Sequence, residues 1–347
     1  MSAKSVLKLI KPLHEPLSAE ERLALAQAEL KALRTHRLDE RWVTEKLLQL
    51  KEGVAKAFVP TWPSTEQAIG TLGTPMLFAS DWHWGEVVEA AQVNGVNEYH
   101  LGIAHRRART LIQTTIHILK DCFAKPNYPG IVLVLGGDMV SGDIHDELVQ
   151  TNELPMMPTL VDVYGVLVEA IRSLQAAFGR VAVVGVAGNH GRTTRKPHMK
   201  NRAFTNFDWL LYKFLEKAFE GEPAVTFLIP DGPDCLFEVQ GHRYFLTHGD
   251  SFSGGDGIIG AIGPIVRGDH KTRSRANNTA QGYQTMLLGH WHQTIPIPNK
   301  VIVNGSLKGY DEYASRRVFG FEPPQQMLWL THPKHGITHL TPIRVDR

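Results

Sequence analysis

Three short apolar runs, Pro75–Ser80, Ile131–Leu135 and Val181–Ala187, recur along the chain with longer amphipathic stretches between them. Runs this short and this uniformly apolar read as buried strands. The intervening His105–Cys122 and Thr159–Phe178 have the length and spacing of helices. That alternation predicts a layered α/β core. After a further helical stretch, Phe204–Phe219, strand-like runs follow at Ala224–Ile229, Cys235–Val239, Tyr244–Thr247, Met286–Leu288, Val301–Asn304 and Met327–Thr331. Their hairpin-like spacing predicts a mixed or antiparallel second half.

Upstream, Leu17 to about Phe58 is rich in Leu, Ala, Glu, Lys and Arg, with Leu23, Ala26, Leu30 and Leu33 at helical spacing and Ser18 with Glu21 as a capping box. Pro60, Pro63, Gly70, Gly73 and Pro75 punctuate the chain beyond it. These features predict a helical N-terminal arm and linker over residues 1–70 and a single large domain over 71–347. The arm has mixed charges and no nucleic-acid motif, so packing on the core or self-association is its expected role.

The 347 residues suffice for a sizeable core, and a formal net charge of +2 implies neither a nucleic-acid nor a membrane partner by itself. The two cysteines, Cys122 and Cys235, follow no C-x-x-C spacing, which argues against a disulfide framework or a cysteine zinc site and fits a reducing compartment. Met1–Lys11 has no apolar core of signal-peptide length, and no run of about 18 apolar residues occurs, so we expect a cytoplasmic protein without a membrane partner.

The predicted strands end in a particular vocabulary. Asp81 and His83 follow the first, Gly136-Gly137-Asp138 the second, Gly188-Asn189-His190 the third, His248 the strand at Tyr244–Thr247, and Gly289-His290-Trp291-His292 the strand at Met286–Leu288. Loops at strand ends can gather several ligands around one point while the sheet fixes their spacing, and adjacent glycines permit close approach. A single Asp or His at a strand end is most often structural. Five such motifs in one chain point to a metal centre. Carboxylate, imidazole and amide donors together suit Mn2+, Fe or Zn2+ better than Ca2+.

In order and spacing these motifs resemble the calcineurin-like metallophosphoesterase family, whose pattern is Asp-x-His, Gly-Asp, Gly-Asn-His, a lone His and Gly-His-x-His. The resemblance covers about Pro75 to Ser306 and extends to phosphoesterases of bacteriophage replication regions and the exonuclease branch. It implies a metallophosphoesterase-type layered β-sandwich flanked by helices, with 71–347 as the catalytic domain. By position, Asp81, His83 and His292 would hold one divalent metal and Asn189, His248 and His290 a second. Asp138 would bridge them and His190 would be the catalytic imidazole. Two metals roughly 3.5–4 Å apart can activate water and stabilise phosphoryl charge in an in-line displacement. Manganese is the leading expectation, with iron, zinc or magnesium as alternatives. The chain departs from the family in one place. Gly191 and Arg192 follow Gly-Asn-His, where many members carry an acid, so a carboxylate partner for His190 would have to come from Asp143, Asp146 or Asp208.

Arg192, Arg195, Lys196, Lys200 and Arg202 follow His190 without an acid through Phe207, which places cations beside the predicted metals. That adjacency favours a polyanion and makes DNA ends or single strands the leading substrate, with Arg192, Arg195, Lys196 and Lys200 as the expected contacts. A phosphomonoesterase, a cyclic-nucleotide phosphodiesterase and, further off, a non-catalytic nucleic-acid-binding module are the alternatives. Trp82, Trp84 and Trp291 either stack bases or pack the motif loops. A second basic cluster, Arg267, Lys271, Arg273 and Arg275, beside the Gly-rich 253–257, reads as a mobile surface loop. Asn304-Gly305-Ser306 reads as structural support.

Overall fold

The structure, a computed structural model, describes residues 73–123, 127–252 and 260–346. The predicted arm over 1–70 lies outside the described residues. β1 (Thr74–Ala79), β2 (Ile131–Leu135) and β3 (Val181–Gly185) are buried at every position, as strands covered on both faces must be. With β4 (Val225–Leu228), β10 (Gln325–His332) and β11 (Gly336–Arg344) they form a sheet in the order β11-β10-β1-β2-β3-β4. The neighbours from β1 to β4 are parallel, and β10 is antiparallel to both β1 and β11.

A second sheet has the order β5-β6-β7-β9-β8, built from β5 (Asp234–Val239), β6 (His242–Thr247), β7 (Thr285–Leu288), β8 (Ile295–Ile297) and β9 (Val301–Val303). Its three inner strands are parallel and its edges antiparallel. The sheets meet face to face through Phe78, Val134 and Val184 on one side and Phe237, Leu246, Leu287 and Ile302 on the other. The α-helices among the described residues are α1 (Leu101–Asp121), α2 (Asp146–Thr151), α3 (Met156–Phe178), α4 (Phe207–Ala218), α5 (Ile262–Asn278) and α6 (Glu312–Arg316). α1 and α4 pack on α3, which lies against β3, and α5 sits on the second sheet. The architecture is therefore two mixed sheets flanked by helices, the α/β layering the sequence predicts. Among the described residues no helix is long and apolar enough to cross a membrane.

Two expectations need correction. Residues 262–278, read as part of a mobile surface loop, form α5. Ile265, Asp269, Thr272 and Ala276 are its buried seam, and Ile265 and Ala276 pack on Met286 and Val301. The seam is too narrow and polar for its period to stand out against four cations. Strands β8 and β11 were also not anticipated, because edge strands that face solvent carry a weak apolar pattern.

The loop after β9 is anchored by buried charge. The Arg107 guanidinium of α1 donates to the carbonyls of Leu307 (3.1 Å) and Lys308 (2.6 Å) and to Asn97 Oδ1 (2.7 Å). Lys308 Nζ donates to Glu86 Oε1 (2.7 Å) and Asp311 Oδ2 (2.5 Å), all three side chains being buried. Burial alone would raise the Glu86 pKa, but the Lys308 ammonium and the His83 ring together outweigh it and hold the carboxyl well below its ordinary range. The contribution is therefore fully present above the ordinary value of 4.5 and is lost as pH falls towards the folded-state value. Lys308→Met leaves two buried carboxylates without their cation. It is expected to cost about 3–5 kcal/mol at pH 7, with a smaller gap at acid pH, where both carboxyls protonate. Urea unfolding of the two proteins at each pH measures this, and equal midpoints at pH 7 would refute the anchoring role.

Candidate metal centre

Parallel pairing carries the chain ends of β1, β2 and β3 to one edge of the first sheet, and those of β6 and β7 to one edge of the second. The five loops that leave these edges bring the predicted residues together. Asp81, His83 and His292 form one group whose ligand atoms all lie within 4.8 Å of one another, and Asp138, His248 and His290 form another. His83, Asp138 and His190 satisfy the same condition. Asn189 joins the second group, its Oδ1 standing 3.1 Å from His248 Nε2. Such clusters of His and Asp could hold metal ions.

The outward nitrogen of two imidazoles is tied to an acceptor: His248 Nδ1 lies 2.8 Å from the Gly136 carbonyl and His190 Nδ1 2.7 Å from the Ser141 carbonyl. His83 Nδ1 faces Glu86 Oε2 at 3.3 Å without a hydrogen bond. A proton fixed on Nδ1 leaves the Nε2 lone pair facing inward, the usual arrangement of a ligating histidine. His83 Nε2 and His292 Nε2 then meet at 2.9 Å, and His248 Nε2 stands 2.9 Å from Asp138 Oδ2. Asp81 Oδ1 accepts from the His290 N–H (2.9 Å), while Asp81 Oδ2 is buried without a hydrogen-bond partner. A buried carboxylate oxygen left unpaired is costly unless a cation meets it, so the donor set fits a divalent ion.

Charge agrees with this. Burial opposes protonation of His248, yet the Asp138 carboxylate 2.9 Å away raises its pKa to about 10, so without a cation a proton takes the place between the two groups that a metal would displace. Burial, then the Lys308 charge, pushes His83 down to about 4, and burial, then His248, pushes His290 to about 4. Both rings are neutral at pH 7, as ligands must be.

The backbone is contorted at these positions. Asp81 (φ 56°), His83 (46°), Asp138 (51°), His290 (67°) and His292 (51°) all occupy the left-handed region, which costs a non-glycine residue about 1–3 kcal/mol where it is strained. Two glycines make the crowding tolerable. A Cβ on Gly188 would stand 2.1 Å from Asp138 Oδ1, and one on Gly289 2.5 Å from Asp81 Oδ2.

Several expectations are resolved by these contacts. Among the described residues His190 has no carboxylate partner: the Ser141 carbonyl takes that place. Asp208 instead accepts the backbone N–H groups of Asp138 (2.8 Å), Met139 (3.2 Å) and Gly188 (2.9 Å). Burial and then the Asp138 charge push the Asp208 pKa up to about 7, against the Gly188 and Asp138 N–H groups. Trp82 and Trp84 are buried and bonded to Gln326 and Asp162, so they pack the loops and do not stack bases. Asn304 supports the β1 end through Ser80 Oγ (2.9 Å), and Ser306 Oγ donates to the Asp81 carbonyl (2.8 Å).

The basic residues divide. Arg192 is partly buried and donates to the Asn189 and Thr194 carbonyls, bracing its own loop. Arg195, Lys196 and Lys200 are exposed. Arg273 is engaged by Asp269 and by the carbonyls of Tyr283, Gln284 and Lys300. A cavity of about 570 Å³ is bordered by both basic segments, but its cations are largely balanced: Arg202 pairs with Asp250 at 2.9 Å and Arg275 lies 3.8 Å from Asp234. Glu86 and Ser141 were not singled out from sequence, and a backbone carbonyl such as that of Ser141 leaves no signal there.

No protein-family model and no curated protein matches the chain. Among solved structures, a conserved uncharacterised protein described as a predicted phosphoesterase from Streptococcus pneumoniae TIGR4 aligns at 12% identity, covering 79% of this chain and 99% of that one, with a TM-score of 0.29. A Staphylococcus aureus protein named provisionally as a 5'-nucleotidase, in complex with alpha-ketoglutarate, aligns at 10% identity with a TM-score of 0.35, covering 79% of this chain and 55% of that one. Neither likeness is close enough to carry function across, so the reading of this chain rests on its own side chains.

Gly289→Ala drives a methyl group against Asp81 Oδ2. It is expected to weaken the binding of a divalent cation, with Mn2+ as the probe, by about 10–100-fold in titration calorimetry. Gly165→Ala, where a Cβ meets nothing within 4 Å, is the control. Equal affinities in the two variants would remove Gly289 from the design of the site.

Proposed function

We propose that the chain is a metal-dependent phosphoesterase holding two divalent cations, with residues 71–347 as its catalytic domain. The observation that carries the proposal is the convergence of two Asp and His groups, with the buried Asp81 Oδ2 left without a protein partner and His248 braced from outside by the Gly136 carbonyl. Asp81, His83 and His292 would hold one cation, Asn189, His248 and His290 the other, and Asp138, common to two of the groupings, would lie between. Manganese suits this donor set. Divalent cations bound here supply Lewis-acid stabilisation of phosphoryl charge and a water of lowered pKa.

The chain's own contribution is position and a proton. Asp138 Oδ1 accepts the His190 N–H at 2.7 Å, fixing that loop against the shared carboxylate. With Nδ1 tied to Ser141, the His190 ring exchanges a proton at Nε2. Burial pushes its pKa down and the Asp138 charge opposes this. An anionic phosphate beside the ring would raise it further, as a general acid toward the leaving oxygen requires.

Nucleic acid is the substrate we propose. Exposed Arg195, Lys196 and Lys200 begin five residues past His190 and support contact with a phosphate backbone. The test is hydrolysis of bis(p-nitrophenyl) phosphate, p-nitrophenyl phosphate, and single-stranded and duplex DNA with Mn2+. We expect cleavage of the diester and of DNA, abolished by EDTA and restored by Mn2+. Inertness towards all four would sink the phosphoesterase reading, and turnover of the monoester alone would replace a nuclease with a phosphatase.

His190→Ala is expected to lower turnover by about 10²–10⁴-fold with both cations retained, as counted by plasma mass spectrometry. A variant that has lost a cation would make His190 a ligand beside His83 and Asp138.

A further inference from the structure

Asp208 is the second residue of α4, and an acid in a first helical turn ordinarily faces water and steadies its own helix. This one is placed otherwise. Its side chain is fully buried, and its own N–H is already taken by Asn206 Oδ1 at 2.8 Å. Both carboxylate oxygens are spent on other segments: Oδ1 accepts the Met139 N–H at 3.2 Å, and Oδ2 accepts the N–H groups of Asp138 at 2.8 Å and Gly188 at 2.9 Å. One oxygen atom thus joins the loop after β2 to the loop after β3, from a residue 70 positions away from Asp138 and 20 from Gly188.

The chain is closed so as to bring Asp208 there. The Gly191 carbonyl accepts the Phe207 N–H at 2.7 Å and the Thr205 carbonyl accepts the Thr193 N–H at 2.8 Å, so the start of α4 returns to the loop the chain has just left. Asn206 Nδ2 donates to the Gly188 carbonyl at 2.8 Å. Gly191 leaves the room: a Cβ there would stand 2.5 Å from Asn206 Oδ1 and 3.2 Å from Asp208 Cγ. The backbones so fastened belong to the second candidate site. Asp138 groups there with His248 and His290, and Gly188 precedes Asn189. Among the described residues no hydrogen bond joins Asp208 to Asp81, His83 or His292, the first group.

From this arrangement we infer that Asp208 is a positioning residue for the second cation: by holding the Asp138 and Gly188 backbones on one oxygen it sets the shared carboxylate against Asn189, and with it the affinity of that site alone. Groups behind a metal ligand orient it, and removing one typically costs about 10–100-fold in metal affinity. The backbone is the right place to act, because Asp138 has φ 51° and a side chain in the left-handed region keeps its direction only while surrounding bonds over-determine it. This role rests on the two-cation phosphoesterase reading proposed above, while the link between the loops can be measured on the metal-free chain.

The test uses the full chain as parent, Asp208→Ala and Asp208→Asn, with Mn2+ uptake followed by titration calorimetry and electron paramagnetic resonance. Asp208→Ala should bind one Mn2+ as the parent does and a second about 10–100-fold more weakly, so that the spectrum of isolated Mn2+ replaces the spin-coupled one. Asp208→Asn keeps an acceptor where Oδ2 stands but sets an amide against the Met139 N–H, so its second cation should bind with an affinity between those two. In the metal-free proteins the Asp138 and Gly188 amides should exchange with deuterium faster in Asp208→Ala, with those of β1 as slow as in the parent. Equal weakening of both cations would overturn the role, since general loss of structure predicts it, and so would two cations held with parental affinity. Should Asp208→Ala not fold, Asp208→Asn decides alone, and parental affinity for its second cation overturns the role. A parent that takes up fewer than two Mn2+ defeats the two-cation reading and this role with it. A parent that binds two but hydrolyses no phosphate ester defeats only the phosphoesterase reading and leaves Asp208 its place.

Discussion

Asp208 accepts three backbone N–H groups, those of Asp138, Met139 and Gly188, on two buried oxygens. The donors belong to the loops after β2 and β3, so one carboxylate from α4 sets the distance between them. Asn206, its helix cap, accepts the Asp208 N–H and donates to the Gly188 carbonyl at 2.8 Å in each case. Without this pin the Asp138 and Asn189 loops would keep, besides their strands, only the bonds from His190 to Asp138 and Ser141 to fix their separation. Loss of such a partner would leave three buried donors unpaired, at about 1–3 kcal/mol each.

The same logic of support from behind recurs around the centre. His248 and His190 are held by a carbonyl on the far nitrogen, and contorted backbones are held by pairing across loops. Asp81 N–H bonds the Gly137 carbonyl and His83 N–H the Asp138 carbonyl, each at 3.0 Å. Five left-handed residues would not persist in an unpaired loop. Strain is gathered where donor atoms must converge, and the surrounding hydrogen bonds over-determine it. The buried Lys308 extends the support outward, joining Glu86, which faces His83 at 3.3 Å, to Asp311 at the cap of α6.

The aromatic residues near the centre divide by role. Trp82 and Trp84 flank His83 in sequence but are buried, their indole nitrogens bonded to Gln326 and Asp162. They stiffen the loop. Trp291, between His290 and His292, is half-buried, and the exposed rings of Tyr313, Phe319 and Phe321 lie far along the chain from His83. The basic residues divide similarly: Arg192 and Arg273 brace backbone, while Arg195, Lys196 and Lys200 extend into solvent.

The seven candidate ligands and the strands that carry them were legible in the sequence, because a continuous apolar run followed by Gly and Asp or His leaves a local signature. The helices α1, α3 and α4 were legible for the same reason: their apolar period is strong. What only tertiary structure decided is what acts across distance or through the backbone. Glu86 and Lys308 lie 222 positions apart, and nothing in either neighbourhood announces a buried pair. The Ser141 carbonyl holds His190 where an acid was sought, and every residue has a carbonyl. Helix α5 carries its seam under a basic surface that local composition reads as loop. A sequence records which side chains are present and how they alternate. Which of them meet is decided by the parallel sheet edges, which bring five separate loops to one point.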